Sequence, residues 1–235
     1  VDVHRECATI CYDSHDYKGV IRAINDLHKD IERVTGAKTN VSADAVSGKY
    51  EIIIGTLGKS KVIDALAASG KISFVIATVE NPSPGIRQGL VIAGSDKRGT
   101  IYGIYELSQQ LGVSPWYWWA DAPVQKRKSA YIKSGYYESG EPKVKYRGIF
   151  INDEWPSFGN WATEKFGGVN SKMYVHLFEL LLRLKANYLW PAMWASAFNE
   201  DDPMNPILAD EYGIVMGTSH HEPMMRAHKE YTRRK

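Results

Sequence analysis

Three short polar clusters in the second half of the chain carry the side chains best suited to acid–base chemistry. They are Asn152-Asp153-Glu154, Asn199-Glu200-Asp201 and His220-His221-Glu222. A carboxylic acid can protonate a leaving oxygen while a second carboxylate activates water or attacks carbon, which is the pair that cleavage of a glycosidic bond requires. The candidate catalytic residues are therefore Asp153, Glu154, Glu200 and Asp201.

Each polar cluster comes after a short apolar run that predicts a β-strand. The runs are YRGIFI (146–151), NYLWPAM (187–193) and GIVMG (213–217). Asn170 or Ser171 can begin a helix between the first two strands, with an apolar stripe of Met173, Leu177, Leu180, Leu181 and Leu184. Strand–loop–helix units with polar residues after each strand are typical of a (β/α)8 TIM-type barrel, whose active site lies at the carboxyl ends of its strands.

The first half of the chain predicts a small α/β accessory domain. Apolar residues recur at helical spacing between Val20 and Val34, and Gly36 ends the run. Further strands are predicted at 50–56, 72–79 and 90–93, and helices at 59–69 and 100–111. Residues 128–137 predict an extended strand in a connector, which gives domains of 1–141 and 142–235.

The second domain is expected to hold only part of a barrel. A complete barrel takes about 250 residues, and the residues after Tyr146 suffice for about three of its eight strands at roughly thirty residues per unit. The sequence therefore predicts the first three barrel strands, in an N-terminal fragment of a longer enzyme.

Composition excludes several classes of function. The net charge is +2, so neither a nucleic acid nor an acidic membrane is indicated as a partner. No apolar run is long enough to span a membrane, and two cysteines make no disulfide framework. His220 and His221 are adjacent and point to opposite sides of an extended strand end, which makes them poor ligands for one ion. No metal and no cofactor are therefore predicted.

Several long strings in the chain resemble glycoside hydrolase family 115. They are RGIFINDE (147–154), EKFGG (164–168), FELLLRLKANYLWPAMW (178–194), AFNEDDP (197–203) and DEYGIVMGTSHHEPMMRA (210–227), with SDKRGTIYGIYELSQQLGVSPWYWWAD (95–121) upstream. The resemblance implies an α-glucuronidase that removes glucuronic acid, or its 4-O-methyl form, from α-1,2 branches of xylan with inversion. It also implies substrate-binding roles at the mouth of the barrel for Asn152, Trp190, Asn199, His220, His221 and Glu222.

One position departs from the family pattern. The loop that reads Phe-Asn-Asp-Asp-Asp-Pro in the family has Glu200 in place of its first Asp. The longer arm would move a reacting carboxylate by more than about an ångström, which is costly for catalysis. This favours Asp201 over Glu200 as a catalytic group, and Asp202, before a proline, is expected to serve the turn.

The residues leave two alternatives open. One is a non-catalytic module that binds carbohydrate or assembles with other chains, and the other is a metal-dependent hydrolase built on His220, His221 and Glu222. The expected partner is glucuronoxylan or its oligosaccharides, with a possible homodimer. A polysaccharide substrate favours a secreted or periplasmic protein.

Overall fold

Helices and strands alternate through both halves of the chain, which divides into two units, Val1–Lys143 and Val144–Lys235. The structure is a computed structural model. It describes residues 7–45, 50–66, 72–152, 155–192, 195–218 and 226–234. Among the predicted site residues, Asp153, Glu154, His220, His221 and Glu222 lie outside the described residues.

The first unit is a six-stranded sheet with three helices in its described part. In chain order the elements are β1 (Thr9–Tyr12), α1 (Lys18–Thr35), β2 (Val41–Ala43), β3 (Tyr50–Thr56), α2 (Lys61–Leu66), β4 (Ile72–Glu80), β5 (Gln88–Gly94), α3 (Lys97–Leu111) and β6 (Tyr136–Gly140). The strand order is β2-β1-β3-β5-β4-β6. Strands β2, β1, β3 and β5 pair in parallel, and β4 runs antiparallel to both β5 and β6.

Alternating side chains of the sheet face different helices. Ile53 and Val91 pack with Ile63 of α2 on one face. On the other face Gly103 of α3 lies so close to Ile92 that an added Cβ would meet its methyl group at 2.8 Å. Helix α1 packs against α3. Helices α1 and α3 therefore cover one face and α2 covers the other.

The helical periodicity read from the sequence is confirmed in α1. Its apolar stripe is buried, and Gly36 ends the helix in the left-handed region at φ 74°. Helix α3 begins three residues earlier than predicted, because the carboxylate of Asp96 accepts a hydrogen bond from Gly99 N at 2.7 Å and caps the first turn. The connector strand predicted at 128–137 is also displaced, since β6 covers Tyr136–Gly140.

The second unit holds three short parallel strands and five helices in its described part. They are β7 (Gly148–Phe150), α4 (Phe158–Phe166), α5 (Ser171–Arg183), β8 (Tyr188–Trp190), α6 (Phe198–Asp201), α7 (Met204–Tyr212), β9 (Val215–Met216) and α8 (His228–Thr232). The strand order is β7-β8-β9. This mixed α/β arrangement agrees with the fold class expected from the sequence, and closure of the strands into a barrel stays a prediction.

Two details of the second unit carry its packing. A Cβ on Gly148 would lie 1.9 Å from the carbonyl oxygen of Tyr188, so the approach of β7 to β8 requires glycine. Asn170 caps α5 by accepting a hydrogen bond from Lys172 N at 3.0 Å. The predicted stripe of α5 is buried except for Leu184, which follows the last helical residue and is 42% exposed.

No helix in the described residues is both long and apolar enough to cross a membrane.

Candidate active site

The carboxyl ends of β7 and β8 carry two of the predicted substrate-binding residues. Phe150 is paired with Trp190 in the parallel ladder, and Ile151 N donates to Trp190 O at 3.0 Å. Asn152 follows directly and is exposed, whereas the Trp190 side chain is half-buried, with its ring centroid 4.6 Å from that of Tyr188. Both residues thus lie at the edge where a parallel α/β fold places its ligands.

The segment predicted as a loop after β8 contains the short helix α6, which carries Asn199, Glu200 and Asp201. Phe198 anchors the helix because its buried ring packs edge-on against Tyr174, with centroids 4.9 Å apart. Asp201 Oδ2 accepts a hydrogen bond from Ala197 N at 2.6 Å, which ties the end of the helix to its start. Asn199 is half-buried on the same helix.

Three arginines from the last described residues converge on Glu200 and Asp201. We call Arg226, Arg233 and Arg234 the arginine cluster. Arg233 Nη2 donates to Asp201 Oδ1 at 2.8 Å, and its Nη1 lies 3.9 Å from Glu200 Oε2. Arg234 donates to Glu200 Oε1, and Arg226 Nη2 lies 3.8 Å from the same oxygen.

The two carboxylates differ in how their oxygens are used. Both oxygens of Asp201 accept hydrogen bonds, one from the backbone of Ala197 and one from Arg233. Within the described part of the chain, the Glu200 carboxylate pairs with arginine side chains, and two of these, Arg226 and Arg234, are 52% and 70% exposed. The geometry therefore favours a positioning role for Asp201. Movement of the exposed arginine side chains around Glu200 would make the Glu200 carboxylate accessible to a substrate.

Glu230 is a carboxylate that the sequence did not single out. It is 4% exposed on α8. Its Oε2 accepts a hydrogen bond from Arg226 Nε, and its Oε1 has no hydrogen-bond partner among the described residues. The available signal in the sequence was the four-residue spacing of Arg226 and Glu230, which suits an ion pair on a helical turn.

The structure thus joins part of the predicted site and adds to it. It brings Glu200 and Asp201 together with the arginine cluster, whose members lie more than twenty residues further along the chain. Asp202 serves the turn, since its Oδ1 accepts from Met204 N at 2.9 Å and its Oδ2 from Ser171 N at 2.9 Å. A hydrogen bond from the Ser171 side chain, followed by these backbone bonds, lowers the pKa of Asp202.

Burial also shifts one histidine of this unit. Desolvation lowers the pKa of His176 on α5, and the nearby charge of Glu179 opposes that shift in part. The His176 ring lies 5.5 Å from the ring of Phe166.

The described residues contain one group with metal-ligand geometry, and it lies in the first unit. Potential ligand atoms of Asp13, His15 and Asp44 lie within 4.8 Å of one another. Both carboxylates of this group accept hydrogen bonds from nearby backbone N–H groups. Asp13 Oδ1 accepts from His15 N at 2.9 Å, and Asp44 Oδ1 accepts from Ser14 N at 2.8 Å. The three histidine and glutamate residues of the metal alternative, His220, His221 and Glu222, lie outside the described residues.

Comparison with known proteins gives one family. Residues 139–235 match Glycosyl hydrolase family 115. BtGH115A, a family GH115 4-O-methyl-α-glucuronidase with specificity for decorated arabinogalactans, is 34% identical, with a TM-score of 0.76 over 91% of this chain. The match spans 29% of the length of BtGH115A. A search of curated proteins found no match.

Two more distant structures share the fold. A GH138 enzyme that targets pectin rhamnogalacturonan II is 14% identical, with a TM-score of 0.53 over 90% of this chain and 24% of that one. A mutant Streptomyces plicatus β-hexosaminidase in complex with GlcNAc is 14% identical, with a TM-score of 0.51 over 91% of this chain and 42% of that one. At this identity the likeness concerns the fold alone.

Proposed function

We propose that this chain, which belongs to glycosyl hydrolase family 115, forms part of an α-glucuronidase that removes glucuronic acid, or its 4-O-methyl form, from α-1,2 branches of xylan. The observation that carries the proposal is the 34% identity to a 4-O-methyl-α-glucuronidase over 91% of the chain. Because the match spans 29% of that enzyme, the proposal is made for a longer protein, in which further strands complete a barrel on β7, β8 and β9.

The proposed reaction inverts the anomeric carbon and uses two carboxyl groups. One, in its acid form, protonates the glycosidic oxygen, and the other, ionised, removes a proton from the water that attacks the opposite face of the sugar. The candidates remain Asp153, Glu154, Glu200 and Asp201. Among the two described candidates, the hydrogen bonds on both oxygens of Asp201 support Glu200 as the reacting group and Asp201 as the residue that positions it.

The arginine cluster suits recognition of the carboxylate that distinguishes a uronic acid from a neutral sugar. A guanidinium presents a planar pair of N–H donors that matches a carboxylate. Arg226 and Arg234 are more than half exposed, so each can bind a second carboxylate while remaining near Glu200. In this proposal Glu200 and Asp201 also hold the cluster in place, and buried Glu230 orients Arg226.

A second substrate follows from one specific observation, the specificity of BtGH115A for decorated arabinogalactans. Arabinogalactan that carries glucuronate branches presents the same terminal uronate on a different backbone. Recognition centred on the uronate carboxylate would accept both polymers, whereas recognition of the backbone would separate them.

The test is release of free uronate by the protein that carries this chain. It would be incubated with glucuronoxylan, with glucuronate-bearing arabinogalactan, and with each polymer after its carboxylates have been reduced to alcohols. Anion-exchange chromatography of the supernatant would show glucuronate or 4-O-methylglucuronate from the native polymers. Reduced polymers should release little neutral sugar. The absence of any release from both native polymers would contradict the proposed function.

A further inference from the structure

A cavity of about 180 Å³ lies at the amino ends of β3 and β5 in the first unit. Ile52 and Leu90 form its floor, and they are buried and paired in the parallel ladder. Leu90 faces the same side of the sheet as Ile92, which packs against α3, because alternate residues of a strand share a face. The carboxyl-terminal turns of α1 and α3 supply the side walls, with Ile31, Val34, Leu107 and Leu111. The cavity therefore lies between the sheet and these two helices.

The connector segment 127–135 runs along the cavity and is attached at both ends by hydrogen bonds. Arg127 N donates to Val34 O at 2.8 Å, and Thr78 N donates to Gly135 O at 2.9 Å. Gly135 N in turn donates to Thr78 Oγ1 at 2.8 Å. Between these attachments the segment lines the cavity with Ala130, Tyr131, Ile132 and Ser134. The cavity is therefore walled on this side by the unit's own chain, as a preformed small-molecule site usually is.

The described side chains that face the cavity are uncharged. Of the described residues that line it, Glu51 alone is charged, and Glu51 is paired with Gly89 and lies two residues before Ile53. Because Ile53 packs against α2, the Glu51 side chain leaves the strand on that opposite face. Gln88 is paired with Tyr50 and lies on the cavity face, where it contributes an amide. The lining therefore combines an aliphatic floor and walls with a hydrogen-bonding amide.

This lining selects the class of ligand. A charged ligand would lose its hydration without gaining a counter-charge, and a sugar would bring several hydroxyl groups against Ile52 and Leu90, where they would lack partners. An aromatic ring suits the aliphatic surface, and apolar cavities of about 150 Å³ take up a ring the size of benzene. Tyr50 and Tyr131 also line the cavity and are 45% and 78% exposed, so they mark the opening through which a ring enters.

We propose that this cavity binds a small uncharged phenolic ring. The ring packs on Ile52 and Leu90 between α1 and α3, and its hydroxyl group forms a hydrogen bond with the amide of Gln88. The residues of the cavity belong to the first unit, and none of them is a candidate for the glycosidase chemistry. The proposal therefore stands independently of the proposed function, and it assigns a ligand site to a unit that the proposed reaction does not use.

The test measures the dissociation constants of phenol and toluene by ligand-observed NMR titration of the full protein that carries this chain. Both should bind saturably, and benzoate, benzylammonium and xylose should each bind at least about tenfold more weakly. In Gln88→Leu the affinity for phenol should fall about fivefold to tenfold, the size of one hydrogen bond, whereas the affinity for toluene should not fall. The control Gln109→Leu changes an exposed glutamine on α3 and should leave both affinities unchanged.

A second variant locates the binding in the cavity. Leu111→Trp places a larger side chain in the wall and should lower the affinities for phenol and toluene by at least about tenfold. If circular dichroism shows that this variant does not fold, the comparison of phenol and toluene in Gln88→Leu decides the proposal by itself.

Three results would overturn the proposal: no saturable binding of phenol or toluene, unchanged phenol binding in Gln88→Leu, or both affinities retained by a folded Leu111→Trp protein. Tighter binding of xylose or benzylammonium than of toluene would also overturn it. In the case of benzylammonium, loss of that binding in Glu51→Met would assign the cavity to a cation. Uronate release plays no part in these measurements, so their failure leaves the proposed function untouched.

Discussion

Arg233 Nη2 donates a 2.8 Å hydrogen bond to Asp201 Oδ1 across 32 residues of sequence. The bond connects the turn after α8 to the end of α6, and the second oxygen of Asp201 is held by Ala197 N. Asp201 therefore holds Arg233, one member of the arginine cluster, in a fixed position beside Glu200. This contact explains how two segments that are distant in sequence assemble one charged site.

Removing Arg233 should impair recognition of the uronate more than the chemical step. In the Arg233→Gln variant we expect KM for a glucuronoxylan oligosaccharide to rise about tenfold, the size of one charged hydrogen bond, with a smaller change in kcat. Steady-state kinetics would measure both constants. The control Arg87→Gln changes an exposed arginine of the first unit and should leave both constants unchanged. An unaltered KM in Arg233→Gln would contradict the proposed role of the arginine cluster in recognising the uronate.

Glu200 and Asp201 should respond differently to neutralisation. Glu200→Gln should lower kcat by about 10² to 10⁴, the usual contribution of an acid–base group. Asp201→Asn keeps a side-chain oxygen that can accept from Ala197 N, so we expect a loss of about tenfold from misplacement of its neighbour. Single-turnover rates of the two variants would compare them directly. A larger loss for Asp201→Asn would restore Asp201 as the reacting carboxylate, as the departure from the family pattern suggested.

His176 should make stability depend on pH. Burial lowers the pKa of His176 below its ordinary value of 6.5, so the unfolded chain binds a proton more readily than the folded one. The free energy of unfolding should then fall as the pH drops below about 6.5, and this contribution should be fully present above that pH. Urea titrations at a series of pH values between about 5 and 8 would give the free energy of unfolding at each pH. Its dependence on pH should be shallower for His176→Gln than for the wild type. Identical slopes for the variant and the wild type would show that His176 does not contribute.

Glu51 is expected to cost stability in the first unit. It is 2% exposed on β3, and neither of its carboxylate oxygens has a hydrogen-bond partner among the described residues. Replacing it with an apolar side chain of similar length, in Glu51→Met, should raise the free energy of unfolding by about 1–3 kcal/mol because the desolvated carboxylate is removed. Chemical denaturation would measure the change.

The matched control for Glu51 is Glu80→Met, at an exposed position at the end of β4. It should change stability by less than about 0.5 kcal/mol. Destabilisation by Glu51→Met, with an unchanged control, would mean that the carboxylate of Glu51 has a role that outweighs its burial.

Local signals in the sequence predicted most elements of the fold. The helical period from Val20 to Val34, ended by Gly36, predicted α1, because a buried stripe and a left-handed cap are properties of a few adjacent residues. Strand β3 was predicted with its observed limits, since YEIIIGT is a buried run between glycines. Helix α6 lies where the sequence predicts a loop, because three of its four residues are polar and give no apolar periodicity.

The site was less predictable than the fold, because it depends on contacts between distant segments. Glu200 and Asp201 were chosen for their residue type and their place after a strand. Their pairing with Arg233 and Arg234 depends on how α8 packs near α6, which no periodicity encodes. Glu230 was missed for the same reason, since a carboxylate on a charged helix becomes notable only when its burial is known.

The central claim, inverting release of a uronate, is tested most directly by the stereochemistry of the first product. Proton NMR of the reaction on a glucuronoxylan oligosaccharide, recorded before mutarotation, would resolve the anomer of the released glucuronate. The account predicts that the β-anomer appears first from the α-linked branch. First appearance of the α-anomer would contradict the inverting mechanism, and no released glucuronate would contradict the function itself.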